Sequence, residues 1–377
     1  MVLMFYMFMT LLLVINTLSK RKRENFLWLF GIAVVWFLSV FVNEDYVDWP
    51  AYQTMFENSS TLYFTKDIGF GFLCYLLNNL GFPAISLRIV IFTVGYFLLH
   101  LSLNKLNVNK LLFLIFYSYY PVASDAMHLR TCIVSFIFIY AVVSYINDRN
   151  WVKYVLLIIF AALFHKMAVF YLPMILINKV EKNNKYTKEF LAIVGILTII
   201  FGSNRSLVSY VSSVLVEVSK SVDLGNIKNS VGSGIEYGWI IDWIVQLLFL
   251  GFLFYIKRYF EKKYCKAPHP TNNIFWVNVI ALLFLPFYFI SFDYFRLFRN
   301  MLAVNYMSFC LYIQDFYSVG TKRIPKKKIT AFFISTMLVL LIGYMKVGYR
   351  GRAAEEFYNY FYNDHISIIK YEVGNDV

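Results

Sequence analysis

The chain has 377 residues, of which 60% are hydrophobic, 20% aromatic and only 15% charged, with a formal net charge of +13. A soluble domain does not carry that apolar excess. The basic residues are scattered between apolar stretches and not laid along one stripe with interleaved aromatics, which argues against nucleic acid as a partner. The composition predicts an all-α integral membrane protein, a polytopic helix bundle whose Tyr and Phe rings serve the bilayer interfaces and the core.

In chain order, Val2 to Leu18 is apolar from its start and lacks the basic n-region and small-residue cleavage site of a signal peptide, so it reads as a first span. Further spans are expected at Phe26 to Val42, Ala84 to Leu103, Leu111 to Val122, His128 to Ile146, Phe190 to Gly202, Gly238 to Ile256, Ile274 to Ile290, Leu297 to Phe316 and Ile329 to Lys346. That makes about ten transmembrane helices, with the pieces at Leu111 and Phe190 extending beyond these limits to cross a core of about 30 Å.

Basic clusters punctuate these spans: Lys20 to Arg23, Lys105 and Lys110, Lys179 to Lys188, Lys257 to Lys266, and Lys322 to Lys328. Short loops rich in Lys and Arg stay on the cytoplasmic side. Both termini, the Asp45 and Asp48 loop, and the stretch from Ser203 to Glu236 then face outward. The division that follows is a polytopic membrane domain over 1–348 with an outward-facing cavity, and an outward tail over 349–377.

Two apolar stretches do not fit simple crossing. Gly69 to Leu80 is short and contains Asn78 and Asn79, and letting it cross would put Lys105 and Lys110 outside, so it reads as an interfacial or partly inserted helix. Trp151 to Asn178 is long but has positive loops at both ends, which predicts a re-entrant hairpin turning near His165 and Lys166; a single crossing is the alternative.

Within this apolar background, ionisable residues are functional candidates, because a buried charge costs several kcal/mol unless paired or wetted. His165 and Lys166 interrupt an apolar run, His128 and Arg130 open one span, and Arg296 and Arg299 open another just after Asp293. Each residue has a structural explanation of its own, snorkelling or a helix contact. Together they offer guanidinium and imidazole groups to one cavity. Guanidiniums bind phosphate bidentately, so a lipid-linked phosphate or pyrophosphate suits them. The segment Asn43 to Tyr52 mixes carboxylates with aromatic rings able to stack on sugars: Asp45, Tyr46, Asp48, Trp49 and Tyr52. Cys74, Cys132, Cys265 and Cys310 stand singly and read as packing residues.

The run Asp45-Tyr46-Val47-Asp48-Trp49-Pro50-Ala51-Tyr52, then Leu129-Arg130, then Ala162-Leu163-Phe164-His165-Lys166-Met167-Ala168 resembles the EpsG family of exopolysaccharide proteins and the related Wzy-type O-antigen and capsule polymerases. The chain departs from the family pattern at Phe41-Val42-Asn43-Glu44 and at Met127-His128-Leu129-Arg130-Thr131, where Asn and Gln beside the arginine are missing.

The resemblance implies a GT-C-like bundle in the bacterial inner membrane. There it would transfer a growing polyprenyl-pyrophosphate-linked glycan onto the non-reducing end of a lipid-linked repeat unit at the outer face. Arg130, Arg296 and Arg299 would hold the departing pyrophosphate. Asp45 and Asp48 are the preferred candidates for the base that takes the acceptor proton in an inverting displacement, with His165 as an alternative base or a phosphate contact, and Tyr46, Trp49, Tyr52, His128 and Lys166 would bind substrate. No cluster has metal-ligand spacing and arginines can neutralise pyrophosphate, so neither metal nor other cofactor is expected. Its partners would be the polyprenyl-pyrophosphate-linked oligosaccharides and membrane lipid, with a chain-length regulator left open. The competing classes are a flippase of the lipid-linked unit, an O-antigen ligase and a membrane O-acetyltransferase. A lack of internal repeats counts against the flippase.

Overall fold

The computed structural model describes residues 24–41, 48–59, 67–182, 184–203, 238–264, 269–289, 294–317, 334–336 and 338. The described residues form α- and 3₁₀-helices joined by short turns, with no strand among them. The expected first and last spans, Val2 to Leu18 and Ile329 to Lys346, lie wholly or largely outside them.

Helix α1 (Glu24–Val40) runs antiparallel to α4 (Ser86–Lys105). Trp36 Nε1 donates to Thr93 Oγ1 at 3.0 Å, the Ser39 and Tyr96 hydroxyls meet at 2.8 Å, and Trp28 stacks on His100. Between them in sequence come α2 (Trp49–Glu57) and α3 (Ile68–Asn79). With 12 residues, α3 is about 18 Å long, too short to cross a hydrocarbon core of about 30 Å.

The next apolar piece is shorter than expected. Helix α5 (Lys110–Tyr119) stops at Tyr120, because Pro121 biases the residue before it away from helical dihedrals. A short α6 (Val122–Met127) then leads into α7 (Leu129–Asp148). Helices α4 and α7 form the central pair. Their backbones approach closely at Gly95, where an added Cβ would lie 2.1 Å from the Phe136 ring, and Tyr96 meets the same ring edge-on at 5.3 Å. Lys105 at the end of α4 pairs with Asp148 at the end of α7, at 3.0 Å, so the two helices run parallel.

After α7 the chain doubles back. Helix α8 (Trp151–Phe164) breaks at His165, and the 3₁₀ segment Lys166–Leu176 returns. Arg149 bonds the Asn178 side chain, and Asn178 Nδ2 donates to Tyr145 Oη at 3.0 Å. An unbroken helix over this stretch would separate those ends by about 44 Å. The two limbs match in length: 14 residues of α-helix and 11 of 3₁₀ helix each span about 21–22 Å. Tyr154 Oη, donating to the Tyr171 carbonyl at 2.6 Å, ties one limb to the other. Pro173 sits in the returning limb, where its missing N–H removes one donor from the ladder.

The remaining elements are α9 (Ile177–Lys182), α10 (Asn184–Ser203), α11 (Gly238–Lys263), α12 (Pro270–Ile280) with the 3₁₀ continuation Ala281–Phe289, α13 (Phe295–Arg299) and α14 (Leu302–Tyr317). The expected span at Leu297 is therefore split between α13 and α14. Buried amides join this half: Asn278 and Asn305 bond reciprocally at 2.7 and 3.1 Å, and Gln246 donates to the Ala281 carbonyl and accepts from Tyr288 Oη.

Four stretches among the described residues are long and apolar enough to cross a membrane: Ser86–Lys105, Leu129–Asp148, Trp239–Lys263 and Pro270–Phe289. Shorter apolar helices cover Phe26–Val40, Ile68–Asn79, Lys110–Tyr119 and Trp151–Phe164.

The bundle has two chemically different ends. At one, Lys105, Asp148, Arg149, Glu181, Lys263 and Asp315 join helix termini through ion pairs. At the other, about 26 Å away along α4, Arg88 lies over the Trp49 ring and the remaining charged residues gather.

Candidate functional site

The second end is assembled from breaks between helices, where backbone direction changes and buried polar side chains gather. Asp67 precedes α3, Ser124 and Asp125 lie in α6, His128 and Arg130 stand at the α6–α7 junction, His165 is the hairpin elbow, and α13 carries Arg296 and Arg299.

Asp67 is the residue that sequence reasoning missed. Its Oδ2 accepts from Arg130 NH1 at 2.9 Å and lies 4.0 Å from His165 Nδ1, and the residue is only 7% exposed. An Asp directly before a helix reads as an N-cap, whose carboxylate would bond the first-turn amides. Here the side chain makes no capping bond and turns to Arg130 instead. The departure is tertiary and leaves no trace in local sequence. Arg88, also missed, is buried, with its guanidinium 3.9 Å from the Trp49 ring centre and NH1 donating to the Val40 carbonyl.

The second part of the cluster surrounds His128. Its Nδ1 donates to the Ser124 carbonyl at 2.8 Å, and its Nε2 lies 3.9 Å from Asp48 Oδ2. Arg299 NH1 donates to Ser124 Oγ at 2.6 Å, and Arg299 Nε lies 3.5 Å from Asp125 Oδ1. Tyr117 Oη donates to the other Asp125 oxygen at 3.1 Å. Arg299 is thus a buried cation paired with Asp125 and Ser124, while its Nε and NH2 make no hydrogen bond among the described residues.

The two parts meet through Arg296. Its charge acts on both His128 and His165, and those of Arg130 and Lys166 also reach His165. His165 Nδ1 is buried without a hydrogen-bond partner, as is Arg130 Nε.

The predicted aromatic platform is placed differently from expectation. Trp49 and Tyr52 are buried: Trp49 lies against Arg88, and Tyr52 packs on Phe70 at 5.5 Å with Arg130 5.8 Å from its ring centre. Their faces are occupied by protein, so they steady the two arginines instead of offering an open surface for a sugar. Asp45, Tyr46 and Asp293 lie outside the described residues. Lys166 is exposed beside the elbow. No three His, Cys, Asp or Glu side chains among the described residues gather at metal-binding spacing.

The arrangement gathers guanidinium, imidazole and carboxylate groups at one end of the bundle, chemistry suited to an anion and to proton transfer. It defines a helical membrane protein with a basic, acid-lined site at one end. The chain belongs to the EpsG family: the family model matches residues 25–362, which takes in every described element except part of α1. Membership makes it a membrane protein of the polysaccharide-polymerase type. No curated protein and no solved structure matches the chain.

Proposed function

We propose that the protein is a glycosyltransferase that elongates a polysaccharide, moving a growing polyprenyl-pyrophosphate-linked glycan onto the non-reducing sugar of a lipid-linked repeat unit. The observation that carries this reading is the convergence of Arg130, Arg296 and His165 at one end of the bundle, among helix breaks. The acceptor oxygen bonds to C1 of the donor sugar as the bond from C1 to the pyrophosphate oxygen breaks. The electron pair leaves with the pyrophosphate, and the hydroxyl proton passes to a base.

Arg130 and Arg296 take the charge that develops on the leaving group, which preorganised guanidiniums in a water-poor site do at little reorganisation cost. Arg299 braces His128 through Ser124, whose hydroxyl accepts from Arg299 and whose carbonyl accepts from His128. His165 is the base: it stands at the elbow beside both arginines, whereas Asp48 lies against His128. The reaction needs no metal in this scheme, the arginines supplying the positive charge.

The end bearing Lys105, Arg149 and Lys263 faces the cytoplasm, following the bias of basic loops, and the site then opens outward. The four stretches of spanning length, the expected spans Phe26 to Val42, Leu111 to Val122, Phe190 to Gly202 and Leu297 to Phe316, and the expected first and last spans together make about ten crossings in a GT-C-like bundle. The bacterial inner membrane is the compartment in which polyprenyl carriers of this kind are presented.

Purified protein supplied with lipid-linked repeat units tests the reading. Glycans longer than one repeat, attached to the polyprenyl carrier, are expected. A product carrying a single repeat on a different acceptor would replace the polymerase with a ligase, and movement of the unit across the bilayer without elongation would replace it with a flippase.

A further inference from the structure

Resting on the pyrophosphate reading of Arg130, we propose that Asp67 is a positioning residue that trades partners, holding Arg130 until a phosphate takes the arginine and orienting His165 thereafter.

The geometry supplies both halves of the exchange. A single oxygen, Asp67 Oδ2, lies 2.9 Å from Arg130 NH1 and 4.0 Å from His165 Nδ1. The first distance is a formed charge-assisted hydrogen bond, and the second is about 1 Å too long for one. His165 Nδ1 is buried with no hydrogen-bond partner, which is costly unless an acceptor arrives. Asp67 is a nearby acidic group for it. No capping bond fixes the Asp67 side chain to its own helix, so a rotation toward the ring gives up the Arg130 contact without the loss of a cap.

The exchange answers an electrostatic problem. A pyrophosphate approaching Arg130 meets the carboxylate already there, and two anions cannot share NH1 without repulsion. Released from the arginine, Asp67 accepts from His165 Nδ1–H. That fixes the tautomer whose Nε2 lone pair faces away and can take a proton from a hydroxyl. The proton stays on the ring, and the carboxylate stabilises the resulting imidazolium. Binding of the donor thereby switches on the base.

The distance between Asp67 and His165 is set by a contact two residues from each. At Gly69, in the first turn of α3, an added Cβ would lie 3.0 Å from Leu163 Cβ and 3.1 Å from the Leu163 carbonyl carbon and oxygen. The helix start therefore docks directly on the backbone of the hairpin limb that ends at His165. A methyl group at Gly69 would push α3, and Asp67 with it, away from the ring.

Titration of inorganic pyrophosphate into the purified full-length protein, alongside polymerisation kinetics, tests the exchange. In Asp67→Asn the arginine is freed of its competing anion, so pyrophosphate binds about tenfold tighter, while kcat falls about 100-fold because the base is no longer oriented. A residue that merely held the fold would weaken both. Gly69→Ala keeps the carboxylate on the arginine but moves it from the ring, so kcat falls with little change in pyrophosphate affinity, and Asp67→Glu recovers part of the rate. Melting temperatures accompany each variant. Unchanged or weaker binding in well-folded Asp67→Asn overturns the partner exchange, and a wild-type kcat in that variant overturns the orienting role. If the wild-type protein takes up no pyrophosphate at millimolar concentration, the phosphate reading of Arg130 falls and the exchange with it.

Discussion

Arginine and lysine carry the same charge but present it differently, and the site residues divide by that difference. Lysine cannot reproduce a planar bidentate contact. Arg130→Lys and Arg296→Lys are therefore expected to lose about 10- to 100-fold in polymerisation rate at normal protein level. Chain-length ladders with parallel immunoblots check this, and normal ladders from well-expressed variants would return both arginines to an anchoring role. Arg299 belongs to a different class. Its removal in Arg299→Met leaves Asp125 buried without its cation, a loss of about 3–5 kcal/mol that thermal unfolding in detergent will show. Proton transfer separates two further residues. His165→Gln should cost about 100- to 10,000-fold in kcat as the base is lost, and Asp48→Asn less than about tenfold. The reverse order would move the base to Asp48.

Helix pairs make their own demands. The α4–α7 approach requires the missing Cβ of Gly95, since Phe136 fills the space where it would stand. Gly95→Ala is expected to destabilise the protein by about 1–3 kcal/mol through overpacking, and Phe136→Leu in the same chain should recover most of it. At the other end, His269 stacks on Phe260 at 3.8 Å and on Tyr264 at 5.7 Å, beside Asp315, which binds Lys263, Tyr259 and Tyr264. Burial pushes the ring down from 6.5 to about 4, against the pull of Asp315. The unfolded chain takes up a proton below about pH 6.5 that the folded ring refuses. This contribution to stability is whole above that pH and is lost as the pH falls toward 4. The melting temperature should decline across that window, and His269→Phe, which keeps the stack, should flatten the decline.

The whole bundle places its basic loops at one end and its site at the other, which fixes what labelling in intact cells must show. In a Cys265→Ser background, Gln53→Cys is expected to react with an impermeant thiol reagent, while Lys185→Cys and Lys263→Cys react only after permeabilisation. The hairpin puts Lys153 and Lys185 on one side. Reaction at position 185 alone would turn the re-entrant segment into a crossing, and reaction at position 263 would invert the arrangement of loops.

Sequence by itself determined what depends on composition and period. The apolar excess and the recurrent stretches at Ala84 to Leu103 and His128 to Ile146 made helices of spanning length inevitable, and the basic loops flanking Trp151 to Asn178 argued for a return at His165, where the chain does double back. Arginine and histidine within apolar runs marked site candidates because hydrocarbon penalises them wherever they fall. Pairing was decided only in three dimensions. Asp67 lies 63 residues from Arg130, and nothing local distinguishes it from a helix cap. Trp49 and Tyr52 looked free to stack on sugars until packing set Arg88 and Arg130 against them. A helix period reports which face a residue occupies, but contact between helix breaks depends on how whole helices pack, a property no single segment carries.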